Sequence, residues 1–163
     1  MNIESKTLIL YMGNPIVVND RIGILIGKQL EKELSGKESI EYPEIREFTG
    51  SPLAFVNEIS GYSKVIIIDS VATGLMEPGS VVLFSKEELL QHSSQIYLHG
   101  MNLPEAIRLR EELACALPTE IKLIGIEVPR IDRFGDELSS ELKGKENSIY
   151  RSVRETLFEL IGF

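Results

Sequence analysis

Residues 64–69 read Lys-Val-Ile-Ile-Ile-Asp, an unbroken run of β-branched apolar side chains that ends on a carboxylate. A strand with one wet face alternates polar and apolar residues, whereas a continuous run predicts burial on both faces, as in a parallel sheet covered by helices. Thr7 to Met12 (TLILYM), Ser80 to Phe84 (SVVLF) and Glu120 to Val128 (EIKLIGIEV) have the same character. Ser39 to Phe48 carries Ile40, Tyr42 and Ile45 around Pro43, whose missing amide proton restricts the segment to a sheet edge.

Between these runs the apolar residues change to a helical period. On Arg21 to Leu34 they fall at Ile22, Ile26, Leu30 and Leu34, with Gly36 placed as a C-cap. Pro52 to Ile59 opens with Ser51 as N-cap and Pro at the first helical position. Pro104 to Leu117 has Glu105 in its first turn and turns Ile107, Ala114 and Leu117 inward, and Ser148 to Ile161 does so with Val153, Leu157 and Leu160. Strands that alternate with helices imply βαβ crossovers. The expected fold is α/β, a three-layer α/β/α sandwich with a mostly parallel sheet of about five strands and helices on both faces, built by residues 1–163 as a single domain.

Composition bounds the function. The 163 residues are 43% apolar, enough for one core without disulfide or metal staples. Seventeen Lys and Arg against 25 Asp and Glu leave a net charge of −8 and no basic cluster, which argues against a nucleic-acid surface. The one cysteine, Cys115, excludes an internal disulfide and a paired-cysteine metal site, and within Leu113 to Leu117 it reads as a small buried hydrophobe in a helix. Met1 to Lys6 carries a Glu, and the apolar run behind it is too short for a signal sequence. Nothing approaches the ~18 apolar residues of a membrane span. A cytoplasmic monomer is the expected form.

In an open α/β sheet, functional groups gather at the carboxyl ends of strands. The turn Gly13-Asn14-Pro15 leads to Asp20 at the mouth of a helix, Asp69 ends its apolar run, and a later loop holds His99-Gly100. Asp20 alone reads equally well as a helix N-cap. Asp69 must be paired, hydrogen-bonded or metal-bound, because a carboxylate in that setting is otherwise too costly to bury. His99 alone reads as a hydrogen-bonding loop residue. Two carboxylates and an imidazole together form an O, O, N donor set suited to a divalent transition metal. Gly13-Asn14-Pro15 has neither the dinucleotide glycine fingerprint nor the Lys-Ser/Thr of a P-loop, no Gly-x-Ser-x-Gly elbow occurs, and His92 follows a charged helix as a surface residue.

The order of these elements resembles the nickel-iron hydrogenase maturation endopeptidases. The resemblance rests on Gly13-Asn14-Pro15 with Asn19-Asp20-x-Ile22-Gly23, on Ile66 to Val71 with Thr73-Gly74 and Pro78-Gly79, on His99-Gly100 before a helix, and on Gly125-Ile126-Glu127-Val128. It implies an aspartic-type peptidase that removes a short C-terminal extension from a hydrogenase large-subunit precursor after nickel insertion. The nickel would arrive with the substrate and serve as the recognition signal, meeting Asp20, Asp69 and His99, with no organic cofactor. The resemblance also implies Glu47, ahead of Phe48-Thr49-Gly50, as a further acidic position, and Asn14 is a supporting candidate. Where the family often carries two adjacent acidic residues, this chain has Asn19-Asp20. Thr73-Gly74, Pro78-Gly79 and residues 134–138 (FGDEL) look closest to proteases that serve cytoplasmic multisubunit hydrogenases.

Hydrolysis then proceeds either through a metal-activated water or through a carboxylate as general base. Two other readings compete. The bacterial peptidyl-tRNA hydrolases share the opening strand with Gly-Asn-Pro, but lack a match to their His-Asn-Gly element here, and the net charge opposes tRNA. A non-catalytic nickel or precursor chaperone on the same fold differs from a protease only in leaving the precursor uncut.

Overall fold

The structure is a computed structural model that describes residues 6–35, 42–92, 103–114, 116–130 and 133–163. The expected strands form β1 (Thr7–Tyr11), β2 (Glu44–Glu47), β3 (Lys64–Val71), β4 (Val81–Ser85) and β5 (Glu120–Glu127). They make one five-stranded sheet in the order β2-β1-β3-β5-β4, parallel except for the β4–β5 pair. Helices α1 (Ile22–Ser35), α2 (Pro52–Glu58), α3 (Lys86–Gln91), α4 (Leu103–Glu112) and α5 (Glu146–Ile161) connect and cover them.

The continuous apolar runs do sort by parity. Leu8, Leu10, Val65, Ile67, Ile121 and Leu123 face one layer with Phe55, Ile107 and Ala106 of α2 and α4. Ile9, Tyr11, Ile66, Ile68, Ile124 and Ile126 face the other with Ile22, Ile26 and Leu30 of α1 and Val153 and Leu157 of α5. Both faces of the central strands are therefore dry, and each fully buried Ile or Leu contributes roughly 1.5–3 kcal/mol. The first and third crossover helices could not both lie on one side, which is why the sandwich has three layers.

Local signals hold at several ends. Ser51 accepts from the Ala54 amide with Pro52 at the start of α2. Ser85 and Glu88 close a capping box on the short, charged α3. Gly162 ends α5 in the left-handed conformation. Three expectations need correction. The apolar run of Ser80 to Phe84 reads as a strand buried on both faces, but β4 lies at the sheet edge, pairs with β5 alone and is part-exposed along its length. β3 continues to Val71, so Asp69 lies inside the strand and does not end it. Helix α4 stops at Glu112, and Ala114, expected on its buried face, is exposed with φ 53°. The buried Arg110 guanidinium donates from Nε to the Ala116 carbonyl at 2.9 Å, which fixes the chain in a reversal where a longer helix would run. Gly36 and Cys115 lie outside the described residues.

Helix α1 lies unusually close to the sheet, because two of its positions have no side chain. A Cβ on Gly23 would stand 2.3 Å from the Met12 carbonyl oxygen, and one on Gly27 would stand 2.0 Å from Cγ of Tyr11. Alanine in place of a mid-helix glycine ordinarily gains roughly 0.5–1 kcal/mol. At position 27 the buried Tyr11 ring, whose hydroxyl donates to Glu31 at 2.6 Å, cannot yield without breaking its own packing. Overpacking of this kind costs about 1–3 kcal/mol. Gly27→Ala should therefore destabilise the fold by about 1–2 kcal/mol net in urea unfolding; an unchanged or raised midpoint would show that α1 has slack against β1.

Candidate active site

Parallel register brings the carboxyl ends of β1, β3 and β5 to one rim, with Tyr11 opposite Ile68 and Asp69 opposite Gly125. The loop after β1 returns on itself before entering α1. Gly13 makes this possible, since a Cβ there would lie 2.2 Å from the Asp20 carbonyl oxygen. Asp20 ends up 1% exposed. One of its carboxylate oxygens accepts from the Asn14 amide at 2.9 Å and the other from the Ser70 hydroxyl at 2.7 Å. Asn14 holds its own turn, its side-chain oxygen accepting from the Ile16 amide at 3.1 Å. Both bonds give Asp20 a place that an N-cap reading does not contain: it joins the β1 loop to β3.

Asp69 is 2% exposed, and its carboxylate accepts from the Ser70 amide at 2.8 Å. Burial pushes its carboxyl well above the usual carboxylate range, the Asp20 charge pushes the same way, and the Ser70 amide opposes both. Ser70 thus serves both acids, its amide facing one and its hydroxyl the other. A carboxylate pair of this kind, with one member driven toward the protonated form, is an arrangement suited to moving a proton or receiving a cation.

The neighbouring loop from β5 is locked onto the same place. Asn19, fully buried and left-handed at φ 70°, donates to the Ser139 hydroxyl at 3.0 Å and accepts from the Ser139 amide at 2.9 Å. An aspartate there would forfeit the amide donor, so the departure from a paired-acid pattern has a structural use. Arg21 donates to the carbonyls of Pro15, Gly135 and Asp136. On the other side of Asp69, the buried Glu127 accepts from the Thr73 amide at 3.0 Å, the Thr73 hydroxyl at 2.8 Å and the Gly74 amide at 2.9 Å. The loop so held, with Pro78 and residues 128–130, lines a cleft of about 360 Å³ at the rim.

The remaining predicted positions divide. Glu47 sits at the carboxyl end of β2, partly exposed, 3.8 Å from the Lys28 ammonium. It does not join the acid pair, and among the described residues no three His, Cys, Asp or Glu side chains are placed to hold a metal ion together. His99 lies outside the described residues. Ser70 and Ser139 carry no local mark in the sequence, and Asn19 is marked only as the departure from a paired-acid pattern. Glu127 is a carboxylate set inside the apolar run Glu120 to Val128, a mark comparable to that of Asp69.

The raised carboxyl of Asp69 has a signed consequence for stability. Its folded value lies above the ordinary 3.8, so the native state binds the proton more tightly than the unfolded chain does. The stability this group contributes is full below about pH 4 and is lost as pH rises through the folded value. Asp69→Asn keeps an acceptor for the Ser70 amide and removes the charge. In urea unfolding it should be more stable than the parent at pH 7, with the gain shrinking toward pH 4; a gain that is absent or independent of pH would contradict the burial argument.

Known proteins share this family signature and this fold. A family model described as HycI, hydrogenase maturation protease, matches residues 25–155. The fold is similar to that of the [NiFe] hydrogenase maturation protease HybD from Thermococcus kodakarensis, at 28% identity and TM-score 0.65, covering 93% of this chain and 98% of that one. It is similar also to the hydrogenase maturating endopeptidase HybD from E. coli, at 18% identity and TM-score 0.68, covering 94% and 93%, and to HycI from Thermococcus kodakarensis KOD1, at 21% and TM-score 0.63, covering 94% and 92%. No curated protein matches the sequence. With the family model spanning most of the chain and the sheet carrying its buried acid pair at the expected rim, the chain belongs to the hydrogenase maturation proteases, a family of peptidase hydrolases that act on hydrogenase large-subunit precursors.

Proposed function

We propose that this protein removes the C-terminal extension of a nickel-iron hydrogenase large-subunit precursor once nickel is in place, and that the substrate's own nickel is the signal it reads. The observation that carries the reading is the burial of Asp20 and Asp69 at the carboxyl rim within electrostatic reach of each other, with Asp20 held by two donors and Asp69 driven toward its protonated form. A pair that avoids two buried charges by keeping a proton on Asp69 can exchange that proton for a cation. A precursor that presents nickel offers that cation, and a nickel-free precursor does not. Recognition of the loaded state follows from the electrostatics of the acid pair.

The same pair supports an aspartic-type mechanism. Peptide hydrolysis needs a base to take a proton from water and an acid to return one to the leaving amine. Asp69, driven toward its protonated form, takes the part of the proton donor and Asp20 that of the base. His99, a few residues before α4 in the sequence, is assigned as the third group toward nickel on the strength of the family resemblance. Asn14 and Ser70 orient Asp20. Glu47, paired with Lys28, is left as a surface group of the rim. The reading places the enzyme in the cytoplasm as a monomer, with nickel as part of the substrate.

Mass spectrometry of purified precursor after incubation tests this directly. The nickel-loaded precursor should be shortened and the nickel-free one left intact. Equal cleavage of both would overturn the nickel-signal reading, and a loaded precursor that is bound but never shortened would make the protein a chaperone. His99→Ala should reduce processing by at least about 100-fold with an unchanged thermal midpoint, and full activity in that variant would remove His99 from the mechanism.

A further inference from the structure

The most exposed large apolar side chains among the described residues are Leu75 at 80%, Phe134 at 78% and Ile16 at 58%. They come from three separate loops, and these are the loops that follow β3, β5 and β1. All three therefore stand on the one rim that holds Asp20 and Asp69. Random exposure of apolar residues is ordinary on any surface, but their concentration at a single functional edge is not.

The loops that carry them are rigid. Val17 and Phe134 form a β-bridge, the Gly135 amide donates to the Ile16 carbonyl at 2.9 Å, and the Val18 amide donates to the Arg133 carbonyl at 3.0 Å. Arg21 and the Asn19–Ser139 pair fix the same two loops from beneath. Leu75 follows Thr73 and Gly74, both held by Glu127, and its own amide donates to the Thr73 hydroxyl at 3.1 Å. Side chains held out in water on preorganised backbone lose little further entropy when a partner covers them. Large apolar side chains in such positions gain free energy when an apolar protein surface covers them, and their clustering marks a contact site.

We propose that Ile16, Phe134 and Leu75 form a docking rim that grips the folded body of the large-subunit precursor around the root of its tail. The inference rests on the protease reading. A bond that enters the acid pair can do so only if the protein that carries it comes to rest on this rim, so the partner is the precursor, through an apolar surface next to the tail. A second copy of this chain is the competing occupant.

The test uses the double variant Leu75→Asp/Phe134→Asp, with Leu113→Asp, between α4 and the amino end of β5, as an exposed control, 52%, at the end of the sheet opposite the rim. Affinity for nickel-loaded precursor is measured by calorimetry and cleavage by mass spectrometry. The rim variant should bind at least ten times more weakly and raise KM at least tenfold, with kcat within threefold of the parent and an unchanged thermal midpoint. The control should match the parent. Unchanged affinity in the rim variant would overturn the proposal, as would sedimentation that shows a parent dimer broken by the variant with precursor affinity intact. Affinity lost in the variant while the parent binds but does not cut would uphold the rim and overturn the protease reading, so the two fail separately.

Discussion

The carboxylate of Asp20 ties the site together. Its two oxygens take a backbone amide from its own loop and a hydroxyl from the middle strand, so the loop after β1, the entry to α1 and the end of β3 become one rigid piece. Everything else at the rim is placed relative to that piece. The β5 loop attaches through Asn19 and Arg21, and α1 comes close enough because Gly23 and Gly27 present only backbone to β1. Like charge is the cost of this construction. Asp69 must share a dry environment with Asp20, and Ser70 offers each of them only one donor. A fold selected for stability alone would place a neutral side chain at one of the two positions.

The sheet meets that cost with apolar burial on both faces. Ile66, Ile67 and Ile68 run directly up to Asp69, all fully buried. They hold the strand in register whether or not its last acid is content. The register matters because a slip of one residue would exchange Asp69 and Ser70 between the two faces of the sheet. Continuous apolar sequence does not by itself specify which face is which, so the register here depends on the flanking strands and on the close approach of α1.

Much of this was readable from residue order. The double-sided strands, the edge position of β2 and the first turns of α1 and α2 follow from runs, Pro43, Pro52 and Ser51, each a local effect of backbone chemistry or of burial. The rim positions of Asp20 and Asp69 follow from strand polarity. The bonds between them were not readable, because Ser70 and Asn19 act through partners 50 and 120 residues away in the chain. The end of α4 was missed for a related reason: nothing at Ala114 announces that Arg110 takes the carbonyl of Ala116. Glu47 stands at the carboxyl end of β2 beside Lys28, a pairing across 19 positions that its own neighbourhood in the sequence does not announce.

The edge strand β2 has a further effect. It is only four residues long, Arg46 within it is ion-paired to Glu44 and Glu58, and Pro43 stands immediately before it. A foreign strand seeking to extend the sheet there would have to strip water from those charges for very few hydrogen bonds. The protein can thus carry greasy, protruding side chains at its rim and still resist growing into fibrous aggregates through that flank, which leaves it free to be sticky in one direction only.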